Sequence, residues 1–262
     1  MRWLPLLAIF LLIAAPAFAA APALRNFGGI AADASAHVDL TVTLPTHAIN
    51  DILLVMCWNR DVDETATIDN VAGWSAFSGS PWDRGTSARY WLFWKRATSA
   101  SETNPICNFS GTTGDVYGVA ASYQGAITSG DPWEVVGTPT SGTVDPAVVT
   151  GIIALTDESL IVVPLAGENN NNASITTTGT NPATYAENYV ETAVGANAMF
   201  GFSDGAQTTA NATGTVSVDF NVAVPVGWGA VVLALIPPPP SARSRAIVIS
   251  SVIPKDSICE GF

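Results

Sequence analysis

Four acidic side chains lie close together in the stretch DVDETATIDN, residues 61–70: Asp61, Asp63, Glu64 and Asp69. Carboxylate oxygens at such spacing are the ligands that Ca²⁺ prefers, so the stretch is a candidate calcium loop. It lacks the central glycine and the final bidentate glutamate of an EF-hand. A solvated acidic loop without metal is the alternative, and the sequence leaves both open. We expect no cofactor other than this Ca²⁺.

The stretch RYWLFWKRA, residues 89–97, is the most aromatic part of the chain. Alternation along a strand would place Trp91 and Phe93 on one face, and Tyr90 and Trp94 on the other. Large aromatic side chains usually serve the core. The pattern therefore favours a strand that contributes to a hydrophobic core.

An exposed tryptophan can also bind sugars, because flat apolar sugar faces stack on indole rings. Trp74, Trp82 and Trp91 are close in sequence and are the candidate residues for such a glycan contact. A split arrangement, with one face of the aromatic strand in the core and one at an interface, is a third interpretation.

Groups suited to catalysis are few. The chain has two histidines, His37 and His47, and it contains neither a G-x-S-x-G elbow nor an H-E-x-x-H motif. Two carboxylates could still meet in a cleft, as glycoside cleavage requires. The acids, however, stand mostly beside Gly, Pro, Asn or Thr in turn-like stretches. We expect a protein without enzymatic activity.

Three cysteines are present: Cys57, Cys107 and Cys259. The first two lie in the strand-like runs ILLVMCW and NPICNFS, so they could pair across a sheet or remain two buried thiols. Cys259 is the odd one, and it could be free or link two chains. With no CxxC motif and two histidines, the chain offers little material for a zinc or copper site.

The charge of the chain is strongly negative. Its 10 Lys and Arg face 22 Asp and Glu, a formal net charge of −12, and no basic residue lies between Arg96 and Arg243. Such a surface repels phosphate backbones, which argues against nucleic acid as a partner. It suits cation binding or a salty medium, although a solvated surface that aids solubility is the simpler interpretation.

The first 19 residues read as a secretory signal peptide. Arg2 precedes an apolar run, and Ala17-Phe18-Ala19 follows as a small-x-small cleavage motif. The run is short for a membrane span, with an uncleaved anchor as the alternative. We therefore expect a secreted protein, extracellular or at the cell surface, that meets the membrane only during export.

The rest of the chain has the composition of an all-β protein. About ten short apolar or alternating runs, such as HVDLTVTL, SLIVVPLA and WGAVVLALI, are separated by Gly, Pro, Asn, Asp and Thr turns. This pattern predicts an antiparallel β-sandwich or jelly roll. We place a linker at residues 20–35, the sandwich at 36–236, a proline spacer at 237–242 and a C-terminal strand with its tail at 243–262.

The order of motifs suggests two similar halves, at about 36–130 and 146–236, joined by a crossing segment at 130–146. Each half has a buried strand after an acidic turn, an aromatic strand and a closing aromatic–Gly–apolar run. Tyr117-Gly118 in the first closing run would correspond to Trp228-Gly229 in the second. The closing runs are apolar on both faces, which predicts strands covered on both sides.

Several of these features resemble a duplicated jelly-roll-like segment of phage virion proteins and secreted bacterial surface proteins. The resemblance covers about residues 36–237 and rests on the DILLV strand, the aromatic W-x-F-W-K-R-A strand, VYGVAASYQGA and WGAVVLALIP. It implies a fold and a role at a particle or cell surface, and it implies no catalytic residues. The signal peptide departs from the virion pattern and favours a secreted cellular protein.

Beyond the closing run lies IPPPPSARSRAIVISSVIP, residues 236–254. Four prolines form a stiff spacer of roughly 12 Å. The following β-branched strand needs a cover, either on its own sandwich or on the sheet edge of a neighbouring copy. The candidate assembly residues flank or form this strand: Arg243, Arg245, Ile247, Ile249, Val252 and Ile253.

These features lead to one main functional hypothesis, a secreted structural subunit that assembles with copies of itself into an extracellular filament or surface layer. Its C-terminal strand, basic at both ends through Arg243, Arg245 and Lys255, would dock on an acidic neighbour. The alternatives are an adhesin-like module that binds surface carbohydrates, and a virion decoration or tail protein.

Overall fold

The computed structural model describes residues 20–33, 39–60, 64–84, 88–111, 115–167, 175–192, 199–221 and 227–239. Every regular element in these ranges is a β-strand, and every strand pairing is antiparallel. The prediction of an all-β antiparallel sandwich is confirmed. The predicted signal peptide and the predicted C-terminal strand both lie outside the described residues.

Most of the strands are short, and glycine, proline and asparagine are found in the turns between many of them. In chain order they are β1 Ala23–Phe27, β2 Ala31–Asp33, β3 Asp39–Thr41, β4 Ile52–Asn59, β5 Ala66–Thr67, β6 Ser75–Ala76, β7 Trp82–Arg84, β8 Ala88–Arg96, β9 Ile106–Phe109, β10 Val116–Gln124, β11 Trp133–Val136, β12 Thr140–Gly142, β13 Ala147–Val149, β14 Ser159–Gly167, β15 Thr176–Thr178, β16 Ala186–Thr192, β17 Met199–Gln207, β18 Val216–Asp219, β19 Trp228–Ala230 and β20 Leu233–Leu235.

The described strands form two large and two small sheets. The first large sheet has the order β1-β10-β4-β8-β6, with β2 beside β10 and β7 beside β8. The second has the order β11-β20-β14-β17-β16, with β12 beside β19 and β19 beside β14. The small sheets have the orders β3-β9-β5 and β13-β18-β15.

The two large sheets pack face to face around a central core. Trp58 on β4 lies against Tyr117 on β10, with ring centroids 4.6 Å apart, and against Phe200 on β17, with centroids 6.3 Å apart. Leu92 of β8 and Leu233 of β20 belong to the same buried cluster. Aromatic rings from both sheets thus supply the largest buried surfaces at the middle of the molecule.

Each large sheet also packs against one small sheet, so the fold has four layers. Val55 and Trp91 face Leu40 and Phe109 in the first outer core, while Val163 and Val218 lie in the second. The inner strands β4, β10 and β14 are therefore covered on both faces, which explains their continuous apolar sequences. The predicted burial of the closing strand β10 is confirmed.

A disulfide joins Cys57 on β4 to Cys107 on β9, with their Cα atoms 6.0 Å apart. Both cysteines are fully buried in the first outer core. Of the two alternatives, the structure has the paired one. The bond connects a large sheet to its small sheet, rather than two strands within one sheet.

Proline in an inner strand is unusual, because it cannot donate to a ladder. Pro164 nevertheless lies within β14, opposite the interval between β19 and β20. Its carbonyl oxygen accepts a hydrogen bond from the Val231 N–H at 3.2 Å. The reciprocal bond would need the N–H that proline lacks, so the neighbouring ladder is interrupted there.

The interpretation of residues 20–35 as a linker is wrong. Strand β1 pairs with β10 from Ala23 opposite Gln124 to Phe27 opposite Ala121, and β2 pairs with the other end of the same strand. Arg25 fixes this edge through its ion pair with Asp51, Nε to Oδ2 at 2.5 Å. The crossing segment also contributes strands, β11 and β12, to the second large sheet.

The two halves use the same strand order. In each large sheet the last strand of its half lies beside an inner strand, which in turn lies beside a nine-residue strand: β10-β4-β8 and β20-β14-β17. The proposed match of Tyr117-Gly118 with Trp228-Gly229 is wrong, however. Tyr117 faces the central core and Trp228 an outer core, so the match is out of step by one residue. An origin by duplication remains a prediction.

Candidate functional site

The acidic loop is only partly within the described residues. Asp61 and Asp63 lie outside them, Asp69 is exposed, and Glu64 is buried. The Glu64 carboxylate accepts a hydrogen bond from the Asn59 side chain, and it lies so close to Gly111 that a Cβ at that position would overlap it. Glu64 therefore has a structural role in joining two loops. Among the described residues, no three His, Cys, Asp or Glu side chains come together as a metal site.

The tryptophans proposed for glycan contact lie mostly in the core. Trp82 faces the central core and Trp91 the first outer core, and both are buried. Trp74 is half-buried against the first outer core. Trp82 and Trp91 offer no free ring face to a sugar, so the glycan-platform interpretation is wrong for both. The predicted alternation of strand β8 is confirmed, with Tyr90 and Leu92 on the face opposite Trp91.

His47, one of the two histidines considered for catalysis, serves as a structural link. Its Nδ1 lies 2.7 Å from the Pro45 carbonyl oxygen, and its Nε2 accepts the Glu102 N–H at 3.1 Å. These contacts correspond to the neutral tautomer protonated at Nδ1. Both ring nitrogens are thus engaged with backbone groups. His37 lies outside the described residues.

Glu102 itself forms a compact polar cluster with Lys95 at the end of β8. The Lys95 ammonium donates to Glu102 Oε2 at 2.6 Å, while Oε1 accepts the Thr98 N–H at 2.6 Å and the Thr98 hydroxyl at 2.7 Å. Burial opposes ionisation of Glu102, but the hydrogen bonds from Lys95 and Thr98 and the Lys95 charge outweigh it and lower the pKa to about 2. The cluster holds the turn after β8.

The surface feature that stands out lies in the second half, along residues 144–155. Val148 is 55% exposed, Ile153 61% and Leu155 70%, and Val144 is also exposed. Two of these residues, Val148 and Ile153, line an open groove of about 440 Å³ together with the rest of residues 148–153 and with Ala212, Gly214 and Thr215. We call this groove and its exposed apolar side chains the β13 groove.

A local irregularity explains why apolar side chains point outward here. Ala147 and Val149 are buried and Val148 is exposed, as alternation requires. At Gly151 the chain passes so close to the Gly214 carbonyl that a Cβ would lie 1.7 Å from that oxygen. Beyond this point Ile152 is buried and Ile153 is exposed, which is out of step with the preceding strand. The sequence does not reveal the groove, because the change of step depends on the contact of Gly151 with the distant Gly214.

Strand β3, in the other small sheet, provides a comparison for β13. Strand β3 occupies the same place in its small sheet as β13 does, at the edge beside the central strand. Its exposed residues are Asp39 and Thr41, on either side of the buried Leu40. The exposed residues of the β13 groove are therefore apolar where those of the comparable edge strand β3 are polar. Contiguous exposed apolar surface of this kind marks interaction sites.

The chain segment that forms the β13 groove has an acidic residue before it and another after it in the sequence. Residues 97–242 contain no Lys, Arg or His. Asp145 precedes the groove and accepts the Phe220 N–H at 3.0 Å, and the exposed Asp157 follows it and accepts the Ala210 N–H at 2.7 Å. A partner with basic groups on both sides of an apolar strand would match this surface.

Two other open grooves differ in character. One of about 610 Å³ lies at the N-terminal edge, lined by Arg25, Asp51, Ile49 and neighbouring backbone. A smaller one of about 260 Å³ lies beside Trp82 and Pro139. In the first groove Arg25 is paired with Asp51, so the lining carries no net charge, and the second exposes little apolar surface.

Comparison with protein-family models, with curated proteins and with solved structures found no match. The jelly-roll resemblance to virion and surface proteins therefore remains a prediction. Across the described ranges, no helix has the length and apolarity needed to cross a membrane. The predicted assembly residues Arg243, Arg245, Ile247, Ile249, Val252 and Ile253 lie outside the described residues.

Proposed function

We propose that this protein is a secreted structural subunit that assembles with copies of itself into an extracellular filament or surface layer. In this proposal the C-terminal strand, residues 243–253, docks on a neighbouring subunit. The observation that carries it is the β13 groove: an exposed apolar surface with acidic flanks, in a chain whose C-terminal strand is apolar with basic flanks.

Two further features support this proposal. The buried Cys57–Cys107 disulfide is typical of proteins that fold in an oxidising compartment, in agreement with the predicted signal peptide. In the described polar clusters, the side chains of His47, Glu64 and Glu102 make hydrogen bonds that hold loops in place. Their placement suits a stable building block.

The test is a truncation whose end point the structure defines. The Ile236 N–H donates to the Pro132 carbonyl at 3.0 Å, and the Ile236 carbonyl accepts the Ile127 N–H at 3.0 Å. A chain ending after Pro239 keeps both bonds and every described strand, whereas an earlier end point would disturb the second large sheet. The mature full-length chain and this truncated chain are compared by size-exclusion chromatography with light scattering and by electron microscopy.

We expect the full-length chain to form large, concentration-dependent assemblies and the truncated chain to remain monomeric. Far-UV circular dichroism and thermal unfolding of the two chains control for folding. A full-length chain that is monomeric at all concentrations, or a truncated chain that assembles equally well, would refute the proposal.

A further inference from the structure

We infer that the β13 groove of one copy is the acceptor for residues 247–253 of a second copy. This inference rests on the proposed function and identifies the acceptor surface for that assembly. The occupant is a strand of this same chain, and the contact is head-to-tail.

The shape and chemistry of the groove fit a single apolar strand. The groove lies on the solvent face of the small sheet, lined by residues 148–153 of and after β13 and by Ala212, Gly214 and Thr215 of the segment that leads into β18, and Val148 and Ile153 are exposed there. A strand laid along this groove would place alternate side chains against Val148 and Ile153, and the burial of apolar surface would stabilise the contact. In residues 247–253, alternation puts Ile247, Ile249 and Ile253 on one face, opposite a face of valines and serine.

Charge complementarity selects this groove over the other large one. Arg243 and Arg245 precede the apolar stretch, and Lys255 follows it directly before Asp256, so the net positive charge lies at the N-terminal end of the strand; Asp145 and Asp157 come before and after the groove in the sequence. In the N-terminal groove Arg25 is paired with Asp51, so its lining has no net negative charge that would attract the same strand.

The proline spacer favours a second copy over the chain's own groove. The last described backbone hydrogen bonds at this end of the chain involve Ile236, and four prolines follow at once. Consecutive prolines prefer an extended, stiff conformation, which opposes a tight return to the same sandwich. Each copy has one groove and one strand, so docking continues from copy to copy unless the ring closes.

The decisive experiment changes one exposed residue in the full-length chain. Ile153→Asp places a charge in the lining of the groove, and Ile49→Asp is its matched control, because Ile49 is a 60% exposed isoleucine in the N-terminal groove. We expect I153D to weaken assembly about thirtyfold or more, judged by the concentration at which half the chains assemble, and I49D to change it less than about twofold. Both residues are exposed, so thermal unfolding should be nearly unchanged in each variant.

A milder variant guards against a folding defect in I153D. Val148→Thr keeps the side-chain shape and gives β13 the polar character of Thr41 on β3. We expect it to weaken assembly about fivefold without loss of stability.

A direct binding measurement completes the test. A fluorescent peptide of residues 243–255 is titrated with the chain that ends after Pro239, and anisotropy is recorded at low and high salt. We expect saturable binding that weakens with salt and is lost in I153D but kept in I49D. A peptide in which Arg243, Arg245 and Lys255 are replaced by Gln should bind about tenfold more weakly at low salt.

The outcomes separate the two proposals. If truncation abolishes assembly but I153D behaves like I49D, the acceptor lies elsewhere and the proposed function stands. If truncation leaves assembly unchanged, the proposed function itself fails. A monomeric full-length chain that cannot bind the peptide, beside a truncated chain that can, would show that the strand occupies its own groove and would overturn the second-copy inference.

Discussion

The Lys95–Glu102 cluster gives a stability prediction that can be worked from its geometry. The side chains of Lys95 and Glu102 are 8% and 6% exposed. Glu102→Gln replaces one carboxylate oxygen with an NH₂ group. Either the amide turns its NH₂ toward the Lys95 ammonium, or it turns it toward the donors of Thr98. In the first orientation Lys95 loses its acceptor, and in the second it keeps a neutral acceptor; in both, the buried Lys95 ammonium loses its negatively charged partner, which is costly.

The pKa of Glu102 sets the size of the effect. Its fall from an ordinary value of 4.5 to about 2 corresponds to an upper limit of about 3.4 kcal/mol in the free energy of unfolding. The exposed Thr98 places solvent beside the cluster, and solvent screening reduces this contribution. We therefore expect E102Q to lower the free energy of unfolding at pH 7 by about 2 kcal/mol.

The same pKa fixes how the effect depends on pH. Glu102 binds its proton more weakly in the folded state, so its contribution is fully present above pH values near 4.5 and is lost as the pH falls through about 2. Wild type should lose this stability between about pH 5 and pH 2, and E102Q should not. The gap between the two proteins should close toward pH 2.

Urea unfolding of wild type and E102Q between pH 7 and pH 2 measures this gap. Glu187→Gln, at an exposed position, is the control, and its effect should stay within about 0.5 kcal/mol. A loss in E102Q that is equally large at pH 7 and pH 2 would show that the carboxylate charge is not the cause. No loss at pH 7 would refute the stabilising role of the pair.

Two further predictions concern the first outer core. Replacing Cys57 and Cys107 by Ala should lower the free energy of unfolding by about 2–4 kcal/mol, because the disulfide closes a separation of 50 residues. The change is made in a Cys259→Ser background, which prevents links between chains, and is measured by urea unfolding. An unchanged urea midpoint would contradict this prediction. Gly118→Ala should destabilise by about 1–3 kcal/mol, because its Cβ would lie 2.4 Å from Val42 Cγ2. Val42→Ala in the same chain should recover part of that loss, and full additivity of the two losses would refute this explanation.

Much of the inner architecture could be predicted from sequence because burial leaves a simple pattern. Strand β8 alternates between two cores, and its two faces follow directly from the period of two. Strands β4 and β14 are apolar throughout, which indicates cover on both faces. Pairing of Cys57 with Cys107 remained one of two alternatives, since spacing alone does not bring cysteines together.

The parts that sequence reasoning missed depend on contacts between distant residues. Strand β1, with the sequence ALRNF, is at a sheet edge and mostly exposed, so it lacks the hydrophobic pattern of a strand. The β13 groove depends on the close approach of Gly151 to Gly214, which puts Ile153 out of step with Val149. Both features are set by contacts with segments of the same chain that are distant in sequence. A local sequence pattern does not show these contacts.

Pro164 has a consequence for how the second large sheet finds its alignment. A slip of β14 by two residues would keep every side chain on its own face, so the hydrophobic pattern alone does not forbid it. It would, however, move the proline opposite a residue of β19 or β20 that needs its N–H, and leave a paired position opposite the interruption. The missing N–H of Pro164 is therefore compatible with one register of β14 and disfavours a slip by two residues. Pro164 weakens β14 as an isolated strand, but in the assembled sheet it helps to specify a single register.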